Sequence, residues 1–106
     1  MALAFARAPR ITFDPTKGRE QVEPGAATFP RQVLRADAVI NGFDIGFTDG
    51  DHHVWRQKLD ITDVQIDPTS RTTVRFNVRY LYRDSSGNID DAYSGWVDVM
   101  VLANLA

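Results

Sequence analysis

The sequence contains no cysteine, and this absence excludes disulfide bonds as a source of stability. A chain of 106 residues can nevertheless bury about two thirds of its unfolded surface, so it needs neither a disulfide nor a metal staple to form a core. Domains of this size can be stable inside or outside the cell without cysteine, and the compartment therefore stays open. We expect one domain over residues 1–106, in which residues 1–30 form an N-terminal strand and arm.

A surplus of positive charge and a long apolar run are absent as well. The formal net charge is −2, whereas proteins that bind duplex nucleic acid leave a basic footprint. No apolar stretch has the roughly 20 residues of a membrane-spanning helix. In MALAFARAPR, Arg7 and Arg10 interrupt and follow the apolar part, while a signal peptide carries its basic residues in front. We therefore expect no nucleic-acid partner, no membrane span and no recognisable signal peptide, with either a cytoplasmic location or export by a non-classical route.

Motifs for nucleophilic catalysis and for phosphate binding are also missing. The chain has no cysteine nucleophile and no G-x-S-x-G sequence. It also has no glycine-rich loop of the kind that cradles phosphates. These absences favour a binding protein over an enzyme, and we expect no cofactor.

What is present is an alternation of apolar and polar residues. One face of the stretch TTVRFNVRYLYRD carries Val74, Phe76, Val78, Tyr80 and Tyr82. The other face carries Arg75, Asn77, Arg79 and Arg83. A period of two with β-branched and aromatic residues predicts a half-buried strand. We predict an all-β fold, an antiparallel β-sandwich of about six strands with an extended N-terminal arm, in which Val74 to Tyr82 is a central strand.

The stretch SGWVDVMVLA is apolar on both faces apart from Asp98. A strand buried on both faces of a two-layer sandwich needs a cover beyond its own core, and another subunit would supply one. This pattern predicts a homo-oligomer, which Val99→Asp should split. The preceding RDSSGNIDDAY is rich in turn-forming residues and predicts a hairpin with Gly87 at positive φ.

Three further segments have weaker patterns. In RADAVINGFDIGF the alternation shifts by one residue at Asn41 and Gly42, which favours a β-bulge over a tight turn. The segment from Asp14 to Pro30 is rich in proline and glycine, has no period, and predicts an extended loop or arm. Only Gln32 to Val39 could form a short helix.

The segment FTDGDHHVWRQ holds both histidines of the chain, and we expect an exposed loop from about Gly46 to Gln57. Its functional side chains are Asp49, Asp51, His52, His53 and Trp55. Carboxylates and imidazoles are ligands that zinc accepts, but adjacent histidines point to opposite faces of an extended chain. The other interpretations are a polar hairpin turn and a loop that contacts a ligand, with Trp55 either in the site or in the core.

Two other groups of polar residues are candidates. The segment DSSGNIDD alternates oxygen-bearing side chains as a calcium loop does, but its glycine does not stand at the EF-hand position. The polar strand face with Arg75, Asn77 and Arg79 could bind an anion or a sugar through its guanidinium groups. The same residues could instead pair with acidic groups of a neighbouring strand or subunit, for example Asp98.

The C-terminal two thirds of the chain resemble the H-type lectin domain. The matching positions are Phe29-Pro30, Phe43, Tyr93-Ser94 and Val101-Leu102-Ala103. The resemblance implies a six-stranded sandwich that forms trimers or hexamers and binds carbohydrate. Two features depart from that family: Val101 stands where it has tryptophan, and NIDD replaces its sugar-gripping aromatic residue and histidine. No sugar-binding residue is carried over.

Together these patterns predict an oligomeric carbohydrate-binding module without a bound metal. A sugar presents an apolar face and a ring of hydroxyls, which an aromatic side chain and polar groups can contact. We expect the contact surface at Asp49, Asp51, His52, His53 and Trp55, with Arg75, Asn77 and Arg79 as the alternative surface. The other functions kept open are a structural subunit of a fibre-like or tail-like assembly and a small metal-dependent enzyme.

Overall fold

The computed structural model describes residues 2–16, 20–48, 54–84 and 92–106. These residues form seven strands and no helix, which confirms the all-β prediction. The strands are β1 (Ala2–Arg7), β2 (Ile11–Thr16), β3 (Gln21–Thr28), β4 (Val33–Phe47), β5 (Val54–Ile66), β6 (Thr73–Asp84) and β7 (Tyr93–Leu105). No helix long and apolar enough to cross a membrane occurs in these ranges.

The strands form two antiparallel sheets, which we name sheet A and sheet B. In sheet A, β7 lies in the centre and β4 runs along one side of it. Along the other side of β7, β1 and β2 follow each other end to end. Sheet B has the order β3-β6-β5. Because β1 and β2 share one edge, each sheet is three strands wide, and the sandwich of about six strands is confirmed.

The core lies between the two central strands. The inward side chains of β6 and β7 are buried: Val74, Phe76, Val78, Tyr80, Tyr82, Val97, Val99 and Val101. The predicted central strand from Val74 to Tyr82 is therefore confirmed. Val99 is fully buried on the core side of β7, so it does not lie on a face that a second subunit could contact.

The predicted β-bulge at Asn41 and Gly42 is confirmed. Ile40 pairs with Val99 and Gly42 pairs with Asp98, so β4 has one extra residue at this point. Before the bulge, even-numbered residues such as Ala38 and Ile40 face the core. After it, the odd-numbered Ile45 faces the core. A bulge keeps a long strand paired while changing which residues face the core.

Two predictions about the N-terminal third are wrong. The segment from Asp14 to Pro30 is not an arm, because it contains the end of β2 and the whole of β3. Proline is tolerated in β3 because β3 is an edge strand, paired in sheet B with β6 alone. Gln32 to Val39 is not a helix, because Val33 begins β4 and the alternating Ala36, Ala38 and Ile40 pack against the core.

The predicted hairpins and the exposed loop also need correction. Gly46 and Phe47 end β4, and Val54 to Gln57 begin β5, so the connection is shorter than the expected loop. Since β4 lies in sheet A and β5 in sheet B, this connection crosses between sheets and is not a hairpin. The same holds for the connection from β6 to β7; Gly87 within it lies outside the described residues.

Candidate functional site

The segment with both histidines follows Thr48, which hydrogen bonds hold at the end of sheet A. Thr48 donates hydrogen bonds to the backbone oxygen of Ala92 from its backbone nitrogen at 3.0 Å and from its hydroxyl at 3.2 Å. Asp49, Asp51, His52 and His53 follow Thr48 and lie outside the described residues. Trp55 lies in β5, and its side chain is outside the described part of the chain.

A groove of about 400 Å³ opens beside this point, between β4 and the beginning of β7. We call it the Trp96 groove; its walls are formed by Asp44, Gly46, Phe47, Thr48, Ser94, Gly95 and Trp96. The two strands approach closely here because Gly95 has no side chain. A Cβ atom on Gly95 would lie 2.8 Å from the Cα of Ile45 and closer still to the backbone oxygen of Asp44.

The indole of Trp96 is held in place by a charged pair. The guanidinium of Arg10 lies 3.7 Å from the centre of the indole, in a cation–π contact. The same guanidinium donates two hydrogen bonds of 3.0 Å to the carboxylate of Asp98, from Nε to Oδ1 and from Nη2 to Oδ2. These hydrogen bonds lower the pKa of Asp98, so the carboxylate stays charged although the residue is buried. The suggested pairing of Asp98 with the arginine face is therefore wrong.

The Trp96 groove brings together an aromatic wall, a carboxylate and two hydroxyls. The carboxylate of Asp44 is exposed, and Asp44 pairs with Trp96 across the two strands. Thr48 and Ser94 supply the hydroxyls. These are the chemical groups with which proteins contact small polyhydroxylated ligands, through an apolar plane and hydrogen bonds.

The sequence patterns did not single out Trp96 or Asp44 as site residues. Trp96 was assigned to the apolar pattern of its strand, and Asp44 had no motif around it. The two residues are far apart in sequence, and only the register between β4 and β7 places them side by side. The one available signal was the alternation in β7, which places Trp96 on the same face of the strand as the charged Asp98.

The alternative surface, with Arg75, Asn77 and Arg79, lies on sheet B and not at the groove. Arg75 Nε donates to Asp67 Oδ2 at 2.7 Å, and Asn77 Nδ2 donates to Asp63 Oδ2 at 2.9 Å. Arg79 donates to the hydroxyl of Thr62 at 3.2 Å and lies 3.5 Å from a carboxylate oxygen of Glu20. Arg75, Asn77 and Arg79 thus each have a partner on their own chain, which favours the structural interpretation for these three residues.

The contact with Arg75 also helps to lower the pKa of Asp67. Hydrogen bonds from Arg75 and from the backbone nitrogens of Ser70 and Thr69 lower the pKa of Asp67 to about 2. The same three bonds fix the turn between β5 and β6, because they join Asp67 to both sides of it. Asp67 is therefore a structural carboxylate.

The ranges that the structure describes contain no group of three or more histidine, aspartate or glutamate side chains that could hold a metal. Both histidines lie outside these ranges, so the question of metal at His52 and His53 belongs to experiment. Most of the segment with the calcium-like spacing, residues 85–91, is likewise outside them.

Half of the eight positions that carry the lectin resemblance are buried in the core. Phe29 and Tyr93 are buried, whereas Phe43 exposes 48% of its surface. The hydroxyl of Tyr93 donates to the backbone oxygen of Tyr80 at 3.1 Å, which ties the two sheets together. No family model, no curated protein and no solved structure matches this chain. The resemblance to the H-type lectin domain therefore stays a prediction.

Proposed function

We propose that this protein is a carbohydrate-binding module and that the sugar occupies the Trp96 groove. The observation that carries the proposal is the placement of Trp96, Asp44, Thr48 and Ser94 around one groove at the end of sheet A. A volume of about 400 Å³ lies within the range of small-molecule sites, which is about 300–1,000 Å³.

The chemistry of a sugar fits these four residues. The apolar C–H face of a pyranose packs against an aromatic side chain, and its hydroxyls exchange hydrogen bonds with carboxylate and hydroxyl groups. Because Arg10 and Asp98 fix the indole of Trp96, little side-chain entropy is lost when a ligand contacts it. An exposed carboxylate such as Asp44 accepts two hydroxyl donors at once.

The residues first predicted for the contact surface are tethered to the same groove. Thr48 belongs to the groove wall, and the chain continues from it directly to Asp49. We therefore include Asp49, Asp51, His52 and His53, which lie outside the described residues, in the proposed site, together with Trp55 of β5.

The proposal includes a homo-oligomer, a trimer or a hexamer, as the lectin resemblance implies. Each copy would carry one groove, and several weak sites on one particle bind a glycan-coated surface far more tightly than one site does.

A glycan array tests the proposal with matched variants. We expect wild-type protein to bind a defined set of glycans, and Asp44→Ala, Trp96→Ala, Asp51→Ala and His53→Ala to weaken that binding about tenfold or more, which corresponds to about 1.4 kcal/mol. Asp60→Ala is the control, because Asp60 is an exposed carboxylate on sheet B. Thermal melting of each variant separates lost binding from lost folding.

Three outcomes of the array would contradict the proposed site. Absence of glycan binding by the wild type contradicts the function itself. If Arg75→Ala abolishes binding while Asp44→Ala does not, the sugar is bound on the alternative surface. If a chelator removes binding, a metal held by residues such as His52 or His53 is required, contrary to the expectation of a metal-free site.

A second candidate function is a structural subunit of a larger assembly, and the shape of the molecule favours it. The domain measures 50 × 22 × 18 Å, so its long sheets offer extended faces for packing. Deleting residues 1–28 is not a suitable test, because this range contains β1, β2 and β3. A protein that binds no glycan but forms large particles visible by electron microscopy would favour this function.

A further inference from the structure

The outer face of sheet A carries an apolar stripe that the sandwich itself does not cover. Leu3 and Phe5 of β1 expose 63% and 61% of their surfaces, and Val39 of β4 exposes 48%. Between them, Leu102 and Met100 of β7 are partly exposed. Single exposed apolar residues are common, but contiguous ones mark a contact surface.

The strand register places these residues on a small lattice. Across β1, β7 and β4, the first row is Leu3, Asn104 and Arg35. The second row is Phe5, Leu102 and Asp37. The third row is Arg7, Met100 and Val39. The apolar stripe therefore runs diagonally, from Leu3 through Leu102 to Val39.

Opposite charges stand on the two sides of this diagonal. Arg7 lies on one side and Asp37 on the other, beside Arg35, and all three are exposed. Neither Arg7 nor Asp37 forms an ion pair within the described ranges. Asp37 Oδ1 accepts a hydrogen bond of 2.8 Å from the backbone nitrogen of Ala38, which orients the carboxylate and leaves Oδ2 available.

We propose that a second copy of this chain covers the stripe, related to the first by a two-fold axis along the diagonal from Leu3 to Val39. Strands lie about 4.8 Å apart, and residues on one face follow each other at about 6.7 Å along a strand. When this two-fold rotation is applied to the lattice, Arg7 of each copy lies about 4 Å from Asp37 of the other, measured in the plane of the sheet. The contact is isologous, so the same ion pair forms twice.

The same rotation gives Phe5 a place to bind. After the rotation, Phe5 of one copy lies over a depression of about 270 Å³ in the other copy, whose walls include Arg35, Leu102 and Asn104. The strands of the two copies would cross at about 70°, which is close to the orthogonal class of sheet packing.

The other in-plane axes through Leu102 do not match the charges. An axis along the strands places Arg7 over Val39 and Phe5 over Asp37. An axis across the strands places Asp37 of one copy over Asp37 of the other. An axis along the second diagonal places Arg7 of one copy over Arg7 of the other. Of these axes, only the proposed diagonal brings Arg7 close to Asp37. It also places Arg35 of each copy about 4 Å, in projection, from Phe5 of the other, where a guanidinium can lie over the aromatic ring.

Nine lattice positions cover only about 300 Å² per copy. Standard interfaces bury about 800 Å² per partner, so we expect weak, concentration-dependent association. A hexamer with two-fold and three-fold axes contains such a contact, whereas a lone trimer does not.

Sedimentation velocity over a range of micromolar concentrations, with charge-swapped variants, tests the proposal. We expect wild-type protein to associate as a dimer, or as a hexamer that contains this dimer, and Arg7→Asp or Asp37→Arg to weaken the association about tenfold or more, because each places like charges in contact. The double variant Arg7→Asp/Asp37→Arg should return to near wild-type affinity. Arg71→Asp is the control, since Arg71 is an exposed arginine outside sheet A.

Asp37→Arg also removes the hydrogen bond to Ala38, so Phe5→Ser serves as an independent variant, and melting temperatures confirm that each protein folds. A wild type that stays monomeric at high micromolar concentration overturns the proposal. Oligomers that survive both single charge changes, or a double variant that does not recover, also overturn it, because the contact then lies elsewhere.

Discussion

At the scale of single residues, the clearest defect in the core is the hydroxyl of Tyr80. Tyr80 is fully buried, and among the described residues its hydroxyl is the buried side-chain polar atom without a hydrogen-bond partner. Burial raises the pKa of Tyr80, so the group stays protonated. We predict that Tyr80→Phe raises the stability by about 1 kcal/mol, because an unsatisfied buried polar group is removed.

Tyr93→Phe is the matched comparison for this prediction. The hydroxyl of Tyr93 donates to the backbone oxygen of Tyr80, so its removal should lower the stability by about 1 kcal/mol. Urea denaturation of both variants measures the difference. A Tyr80→Phe protein that is less stable than Tyr93→Phe would show that the Tyr80 hydroxyl has a partner in solution.

Asp67 gives a prediction about acid stability. Its pKa is lowered from 3.8 to about 2 in the folded protein, so the unfolded chain binds this proton more tightly than the folded one. The stabilising effect is complete above about pH 4 and is lost as the pH falls towards 2. We predict that Asp67→Asn reduces the slope of the melting temperature against pH in this window. A slope unchanged in Asp67→Asn would contradict this role for the carboxylate.

At the scale of strands, the close approach of β4 and β7 depends on Gly95. Its φ is 156°, and a Cβ atom there would collide with the backbone of Asp44 and Ile45. We predict that Gly95→Ala lowers the stability by about 2 kcal/mol, since the strands must move apart. Gly46→Ala is the control, because a Cβ atom on Gly46 meets nothing within 4 Å. Equal effects in chemical denaturation would contradict the close packing at Gly95.

The two faces of β7 should respond differently to a buried charge. Val99 points into the core and is fully buried, so Val99→Asp should unfold the domain and cannot report on assembly. Met100 lies on the outer face, where Met100→Asp should leave the fold intact and weaken the association of two copies. Circular dichroism and sedimentation of the two variants separate these effects. A folded Val99→Asp protein would contradict the assignment of the faces.

The sequence predicts those features of the strands that depend on neighbouring residues, but not those that depend on which strands pair. The alternation in β6 and the apolar character of both faces of β7 are local, and both were predicted. Whether consecutive strands pair or cross to the other sheet is not local, and the expected hairpins after β4 and β6 were therefore wrong. Pro24 suggested an arm because proline breaks central strands, but β3 is an edge strand where proline is tolerated.

At the scale of the whole molecule, the two long sheets separate a structural surface from a proposed binding surface. The radius of gyration is 15.9 Å, while a compact chain of this length has about 13 Å. The elongation follows from strands such as β4, which runs from Val33 to Phe47. Sheet B presents a paired polar face, and the end of sheet A carries the Trp96 groove. The groove could not be predicted from sequence, because the pairing of β4 with β7 creates it.

The most direct measurement of the central claim is a nitrogen–proton NMR titration of the wild-type protein with the strongest glycan from the array. We predict that the indole signal of Trp96 and the backbone amides of Asp44, Thr48 and Ser94 shift together and saturate, while Arg75 and Asn77 stay unchanged. Shifts confined to the face of sheet B, or no saturable shift with any arrayed glycan, would contradict carbohydrate binding at the Trp96 groove.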